Sequence, residues 1–430
     1  MTNTNALDAT IVGGGMITQL QILPSLYHLQ RLGRIGRIAV CSLTSAVLKS
    51  LARDEALESA FPGQTFTPYP DYRETPPDEA HPGLYKDVVA AMKPHNLVVI
   101  ALPDQMHYES VIHALQHDQH VLCVKPLSLT YEHARAIEQL AHSRGLFVGI
   151  EYHKRFDDRA AMARSKYRAG FFGEFRLGMA TLIEPWFYRH SNFQNWCTSE
   201  HSDMFTYIGC HYVDQVHMIT GLLPVRVSVY GIEESYPNGN RGYLWTDARI
   251  VWDNNACLTV LNGMGYPDAG PGGNSQGIWL FTQGERDGGL MFHDDQYRGV
   301  KHSYVHRGGD PGASYYNEPS PDYFKLVERG GEGLTPVGYG YRSIEGIVGA
   351  AVRVEGAAAG LKDEAALEKR REILTRIDEE GLIATPANSA FNELVIEAGR
   401  KSILSGGREV LIEYGADPRV RFLDFTPPSG

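Results

Sequence analysis

Through the first 150 positions the apolar residues gather into short unbroken runs at 9–12, 38–41, 97–102, 120–124 and 146–150. Runs without polar alternation suit strands that are covered on both faces. Between them, 16–32, 107–117 and 130–144 read as helices, and a further helix passes through Leu51. Strands alternating with helices require right-handed crossovers, so the pattern predicts a doubly wound parallel sheet. Residues 61–82 interrupt the rhythm with prolines and glycines among polar side chains, and predict a loop or lid-like insertion.

Beyond residue 150 the pattern changes. A polar helix over 157–169 leads to a strand at 175–183, and a helix over 204–220 is closed by Gly221, a residue suited to the left-handed position after a helix. Apolar runs at 226–232, 248–252, 257–261, 278–282 and 289–293 follow with no helix between them, which predicts a largely antiparallel sheet. The glycine-rich stretch 263–277 reads as a loop, and helices are expected over 343–359, 363–380 and 389–404. The expected class is α/β: a Rossmann doubly wound parallel sheet over 1–150, then a C-terminal α/β domain over 151–430 with a large open, mainly antiparallel sheet.

A chain of 430 residues exceeds one ordinary core, which agrees with two domains. The formal net charge of -11 argues against nucleic-acid binding, which needs clustered Lys and Arg. Five widely spaced cysteines without a C-x-x-C pair point away from a disulfide framework or structural zinc and toward a reducing compartment. With no secretory signal pattern and no apolar run near the roughly 20 residues of a membrane span, a cytoplasmic protein is expected.

Three segments carry chemistry. Gly13-Gly14-Gly15-Met16-Ile17-Thr18 follows a strand and opens a helix, the setting of a dinucleotide-binding turn, with Thr18 at the third glycine position. The second strand ends at Ser42, with no acid where an NAD-binding fold usually offers one to the ribose, so NAD is the expected cofactor but the choice against NADP is left open. Lys125-Pro126 ends the run 121–124: an ammonium at a buried strand end needs a partner or a task, and proline stops the ladder. On the helix 204–220, Asp214 lies angularly between His211 and His217, an arrangement that suits proton transfer near neutral pH and is poor for chelating a metal. Leu102-Pro103 with His107 follows the third strand run and would face the ligand crevice. The segment 186–196 mixes aromatics with hydrogen-bonding side chains, as sugar recognition requires.

In this order the pieces resemble the Gfo/Idh/MocA family of sugar and cyclitol oxidoreductases. The resemblance rests on Gly13-Gly14-Gly15, Leu102-Pro103-x-x-x-His107, Val124-Lys125-Pro126, residues 149–156 and Gly209-Cys210-His211-x-x-Asp214. It implies cofactor contacts from Gly13, Gly15, Met16, Ile17, Ser42, Leu102, Pro103, His107 and Lys125. It also implies catalytic roles for Lys125, His211, Asp214 and, less directly, His217. Substrate contacts are expected from His153, Arg155, Trp186 and His211, with no metal. The substrate would be a sugar, glycoside or cyclitol, and the protein a homo-oligomer, dimer or tetramer, with no nucleic-acid or membrane partner. An alternative keeps the same site but makes the protein an NAD-dependent glycosidase with no net redox change. Val124 stands where the family usually has Glu, so the neighbour of Lys125 carries no charge and a neutral amine there could take the substrate's proton. Residues from 263 onward match no signature of the family, and the segment 293–298 is a further candidate to reach the site.

Overall fold

The computed structural model describes residues 6–270, 274–285, 287–294 and 323–423, so most of the segment 293–298 lies outside the described residues. Two compact units are present, Met1–His153 with Phe324–Ala390, and Lys154–Tyr323 with Phe391–Gly430.

The first unit is built on six parallel strands: β1 (Leu7–Val12), β2 (Ile35–Cys41), β3 (Thr67–Tyr69), β4 (Leu97–Ile100), β5 (His120–Val124) and β6 (Val148–Glu151). Their order is β3-β2-β1-β4-β5-β6, the doubly wound arrangement in which the connection reverses direction between β1 and β4. All four residues of β4 are buried, as its unbroken apolar run requires. The expected loop over 61–82 contains β3, a short edge strand whose Tyr69 carbonyl accepts the Ser42 N–H at 2.9 Å. Its proline at position 68 conceals it from a reading by pattern, and an edge strand tolerates that residue.

The helix after β1 opens with a π-helical segment, Thr18–Ile22, before Leu23–Arg31. Pro24 supplies the reason: it cannot donate to the preceding turn, and a widened turn accommodates the missing bond.

The expected continuous second domain over 151–430 is corrected by the return of residues 324–390 to the first unit. In the helix Tyr339–Ala358 the residues Ile344, Ile347, Val348, Ala351 and Val354 share one face, and all join the core that holds Ile11, Leu26, Val99 and Leu122. Burial of each larger side chain there is worth about 1.5–3 kcal/mol, which outweighs the local chain order that suggested a simple division.

The second unit carries an eight-stranded sheet. Its strands are β7 (Glu174–Pro185), β8 (Pro224–Ser235), β9 (Arg241–Trp252), β10 (Cys257–Tyr266), β11 (Ser275–Gln283), β12 (Gly288–Asp294), β13 (Val410–Glu413) and β14 (Arg419–Phe422). They lie in the order β12-β11-β7-β10-β9-β8-β13-β14, antiparallel except for the β7–β10 pair. The glycines at 263 and 265 belong to β10 and not to a loop, because a Cβ at either position would lie 2.3 Å from the Trp245 ring. The helix Phe391–Ile403 packs against β8 on one face of the sheet. The other face exposes Leu177, Met179, Tyr230, Ile232, Trp279, Phe281, Leu290 and Phe292. Among the described residues no helix is long and apolar enough to cross a membrane.

Candidate active site

The carboxyl ends of β1, β2, β4, β5 and β6 gather the first unit's candidates. Gly13 has φ +113°, and a Cβ there would sit 2.0 Å from the Ala101 carbonyl oxygen. Only glycine fits that turn, and its N–H donates to the Cys41 carbonyl at 2.8 Å. At Gly15 a Cβ would meet no atom within 4 Å, so the turn opens onto free space at the start of a helix. An open glycine at a helix N-terminus is what a pyrophosphate needs for close approach, and the residues present therefore fit a dinucleotide. Thr18, fully buried, donates its hydroxyl to the Gly13 carbonyl at 2.6 Å, fixing the turn from the third glycine position. Met16 is exposed, and Ile17 and Ser42 are half-buried.

Leu102 and Pro103 are half-buried after β4, as a crevice-lining turn would be. His107 departs from the expected cofactor contact. It is fully buried, with Nδ1 2.6 Å from the Pro126 carbonyl oxygen and Nε2 2.8 Å from that of Leu102. Both ring nitrogens are thus given to the backbone, and His107 clasps the turn after β4 to the turn that carries Lys125. Lys125 itself is half-buried at the end of β5, joined to Pro126 by a cis peptide bond.

A buried network that the sequence reading missed lies one strand over. Glu151 ends β6 and pairs in register with Val124. Its Oε1 accepts from Gln21 Nε2 at 2.7 Å and from the Ser343 hydroxyl at 2.6 Å, while Oε2 lies 3.1 Å from His153 Nδ1. These partners come from positions 130 and 192 residues away, so spacing gave no sign of them.

In the second unit, Arg155 does not present its guanidinium as a substrate contact would require. Its Nε and Nη2 grip the Asp214 carboxylate at 2.7 and 2.6 Å, and Asn392 Nδ2 adds a third bond at 2.9 Å. The two charged side chains are 2% and 1% exposed. Asp214 makes no hydrogen bond to His211 among the described residues, and the expectation that it orients that imidazole gives way to a buried ion pair with Arg155. His211 is buried on the helix Cys210–Thr220, just after a π-helical turn, Phe205–Gly209. His217 donates Nδ1–H to the Leu222 carbonyl at 2.8 Å and packs on Phe391 with ring centroids 4.1 Å apart. Burial holds its pKa below the usual value against the raising effects of that bond and of Asp214. His217 sits in the last turn of the helix Cys210–Thr220. Trp186 is half exposed, with the Arg189 guanidinium 4.1 Å from its ring centroid.

A second group missed from sequence is a buried polar chain. Lys154 Nζ donates to Gln276 Oε1 at 2.7 Å, Gln276 Nε2 to Asn274 Oδ1 at 3.1 Å, and Asn274 Nδ2 to Glu184 Oε2 at 3.3 Å. Alternation in the β7 and β11 stretches places Glu184 and Gln276 on the covered face, which is the signal that could have found them.

At the amino ends of the first unit's strands, His95, His120 and Glu355 come close enough for their ligand atoms to share a cation. The hydrogen bonds argue otherwise. His120 Nδ1 accepts the Phe147 N–H at 2.9 Å, so its Nε2 carries the proton that it donates to Glu355 Oε1, also at 2.9 Å.

An open glycine turn at the reversal point of a six-stranded parallel sheet defines a dinucleotide-binding Rossmann unit. Residues 7–152 match the model of the Gfo/Idh/MocA oxidoreductase family, NAD-binding Rossmann fold. An uncharacterized oxidoreductase of Schizosaccharomyces pombe is 41% identical over 78 residues, 18% of this chain and 21% of that protein. The D-glucoside 3-dehydrogenase of Escherichia coli is 26% identical over 144 residues, 32% of this chain and 39% of that protein. The matched parts thus span well under half of these relatives' own lengths. Scyllo-inositol dehydrogenase from Lactobacillus casei, solved with NAD(H) and scyllo-inositol, shares the fold with a TM-score of 0.57 at 16% identity, over 94% of this chain and 99% of that one.

Proposed function

We propose that the protein is an NAD-dependent oxidoreductase acting on a secondary hydroxyl of a sugar, sugar derivative or cyclitol. The observation that carries this reading is a half-buried lysine at the end of β5, on the same sheet edge as the open Gly15 turn after β1. NAD, when bound, supplies the two-electron acceptor or donor for the carbon that changes oxidation state. Gly13, Gly15 and the helix start would hold its pyrophosphate, and Ser42 offers a hydroxyl where an acid would otherwise meet the ribose. Lys125 takes the hydroxyl proton in oxidation and returns it in reduction. In the second unit His211 is the remaining titratable candidate, and Arg155 with Asp214 keeps its helix in place.

Similar proteins named as dehydrogenases of a glucoside and an inositol support the dehydrogenase reading, and one named as a 2,7-anhydro-N-acetylneuraminate hydratase keeps the redox-neutral alternative in the test. The test is an NAD-coupled assay on myo-inositol, scyllo-inositol and methyl glucosides, with wild type and Lys125→Ala. Loss of one acid/base group should cost roughly 10²–10⁴-fold in kcat while NAD still binds. Near-normal turnover by Lys125→Ala would refute the assignment. Aglycone release without net NAD consumption would shift the reading to the glycosidase.

The exposed apolar face of the second unit's sheet supports association of copies of this chain, because Leu177, Met179, Trp279, Phe281, Leu290 and Phe292 sit side by side on β7, β11 and β12, a patch unusual on a monomer. Five free cysteines suit a reducing, cytoplasmic setting.

A further inference from the structure

Glu151 is 3% exposed, and a buried carboxylate is costly unless its charge is matched. Gln21 and Ser343 satisfy Oε1 but are neutral donors, and among the described residues no Lys or Arg hydrogen-bonds to Glu151. The titratable donor is His153, whose Nδ1 faces Oε2 at 3.1 Å. A carboxylate only accepts, so Nδ1 bears the proton in this pair, and in the neutral ring Nε2 is left with its lone pair. The Tyr339 ring, with its centroid 5.5 Å away and inclined at 33°, packs beside the imidazole, whose side chain keeps 15% exposure. A base oriented by a fixed carboxylate is the arrangement that acid/base sites use.

The location gives the pair its task. Val124 and Glu151 are register partners on adjacent parallel strands, so Lys125 follows β5 and His153 follows β6 at the same edge of the sheet. We propose that His153 is the proton relay that resets Lys125, and that Glu151 is its positioning residue. The inference rests on the proposed dehydrogenase reading. In alcohol oxidation the O–H bond breaks and its proton joins the Lys125 amine, while the C–H hydrogen would leave with both bonding electrons, as hydride, to the oxidised nicotinamide. His153 Nε2 then accepts that proton, with the resulting imidazolium matched by Glu151, and passes it to water. In reduction the proton travels the other way. Among the described residues, Glu151 on its own segment and Tyr339 face His153, with neutral Gln21 and Ser343 behind the carboxylate.

The test uses the NAD-loaded full chain and the panel substrate with the highest wild-type turnover. His153→Ala is expected to lower kcat by 10²-fold or more, to leave the NAD dissociation constant within about threefold, and to recover turnover as free imidazole is added. Glu151→Gln is expected to shift the acidic limb of the kcat profile to lower pH. It should also lower the His153 titration midpoint seen by NMR of nitrogen-labelled rings, because the imidazolium loses its countercharge. Wild-type kcat in His153→Ala, a loss that imidazole does not restore, or an unmoved midpoint in Glu151→Gln would each overturn the proposal. Wild-type protein that binds NAD but turns over no panel member would overturn the dehydrogenase reading, and the relay with it. In that case the NMR midpoint still reports separately on the Glu151–His153 pairing.

Discussion

Asp214→Asn separates two accounts of the helix that carries His211. The geometry makes Asp214 the countercharge of Arg155, held by two parallel bonds of 2.6 and 2.7 Å and a third from Asn392 at 2.9 Å. Asparagine is nearly the same size but must turn its NH2 group toward a guanidinium N–H or toward the Asn392 NH2. It also leaves Arg155, 2% exposed, without its countercharge. Breaking a buried pair from one side costs about 3–5 kcal/mol. For a unit of roughly 200 residues each kcal/mol lowers Tm by about 2–4 °C, so the second unit's transition should fall by about 6–20 °C.

Calorimetry of wild type, Asp214→Asn, Asp214→Leu, Arg155→Met and the double variant Arg155→Met with Asp214→Leu measures this. The double variant should recover much of the loss, because replacing a buried ion pair by apolar groups is often neutral, and the cycle should show a coupling of opposite sign to the single losses. If Asp214 instead tuned the His211 imidazole, Asp214→Asn would lower kcat with Tm nearly unchanged. That outcome would refute the structural assignment.

Gly13→Ala and Gly15→Ala should diverge: the first places a Cβ 2.0 Å from a backbone oxygen at positive φ and should lower both Tm and NAD affinity, whereas the second meets no protein atom and should weaken NAD binding at unchanged Tm. Calorimetry and NAD titration check this, and equal behaviour of the two variants would refute it. Burial lowers the pKa of His120 and of His217. The unfolded chain then binds protons that the folded chain refuses, so stability should fall as pH drops below about 6.5, with a slope approaching about 1.4 kcal/mol per pH unit for each group. Burial raises the Glu355 carboxyl, but His120, His95 and Arg370 outweigh it and hold it below the usual range. Its contribution is therefore present above the ordinary Glu value and lost only in stronger acid. Urea titrations at pH 7.5, 6 and 5 measure the slope, and a flat profile would contradict it. Trp279→Glu with Phe281→Lys on the exposed sheet face should yield monomers by light scattering, and unchanged mass relative to an oligomeric wild type would refute that face as the interface.

The first unit was legible because its signals are local. Unbroken apolar runs mark its central strands, and a glycine turn between a strand and a helix marks its ligand edge. What escaped the sequence depends on partners far along the chain. Nothing within ten residues of Glu151 announces Gln21 or Ser343, and nothing in 339–358 says that this helix covers a sheet begun more than three hundred residues earlier. The same limit hid the partners of side chains that the sequence singles out. Arg155 and Asp214 are 59 positions apart, and only the fold reveals that each is the other's partner.

Val124 shows how the two kinds of information combine. At this position the family pattern usually places a glutamate, and an apolar residue there removes a carboxylate from the lysine's own strand. The parallel register restores one from the next strand, since Val124 is paired with Glu151. A carboxylate on the neighbouring strand differs from one beside the lysine in sequence, because its oxygens are already committed to Gln21, Ser343 and His153. The charge is therefore directed at an imidazole, and under the proposed relay this edge of the sheet would offer Lys125 and His153 as two separate proton carriers where a Glu-Lys pair would offer one.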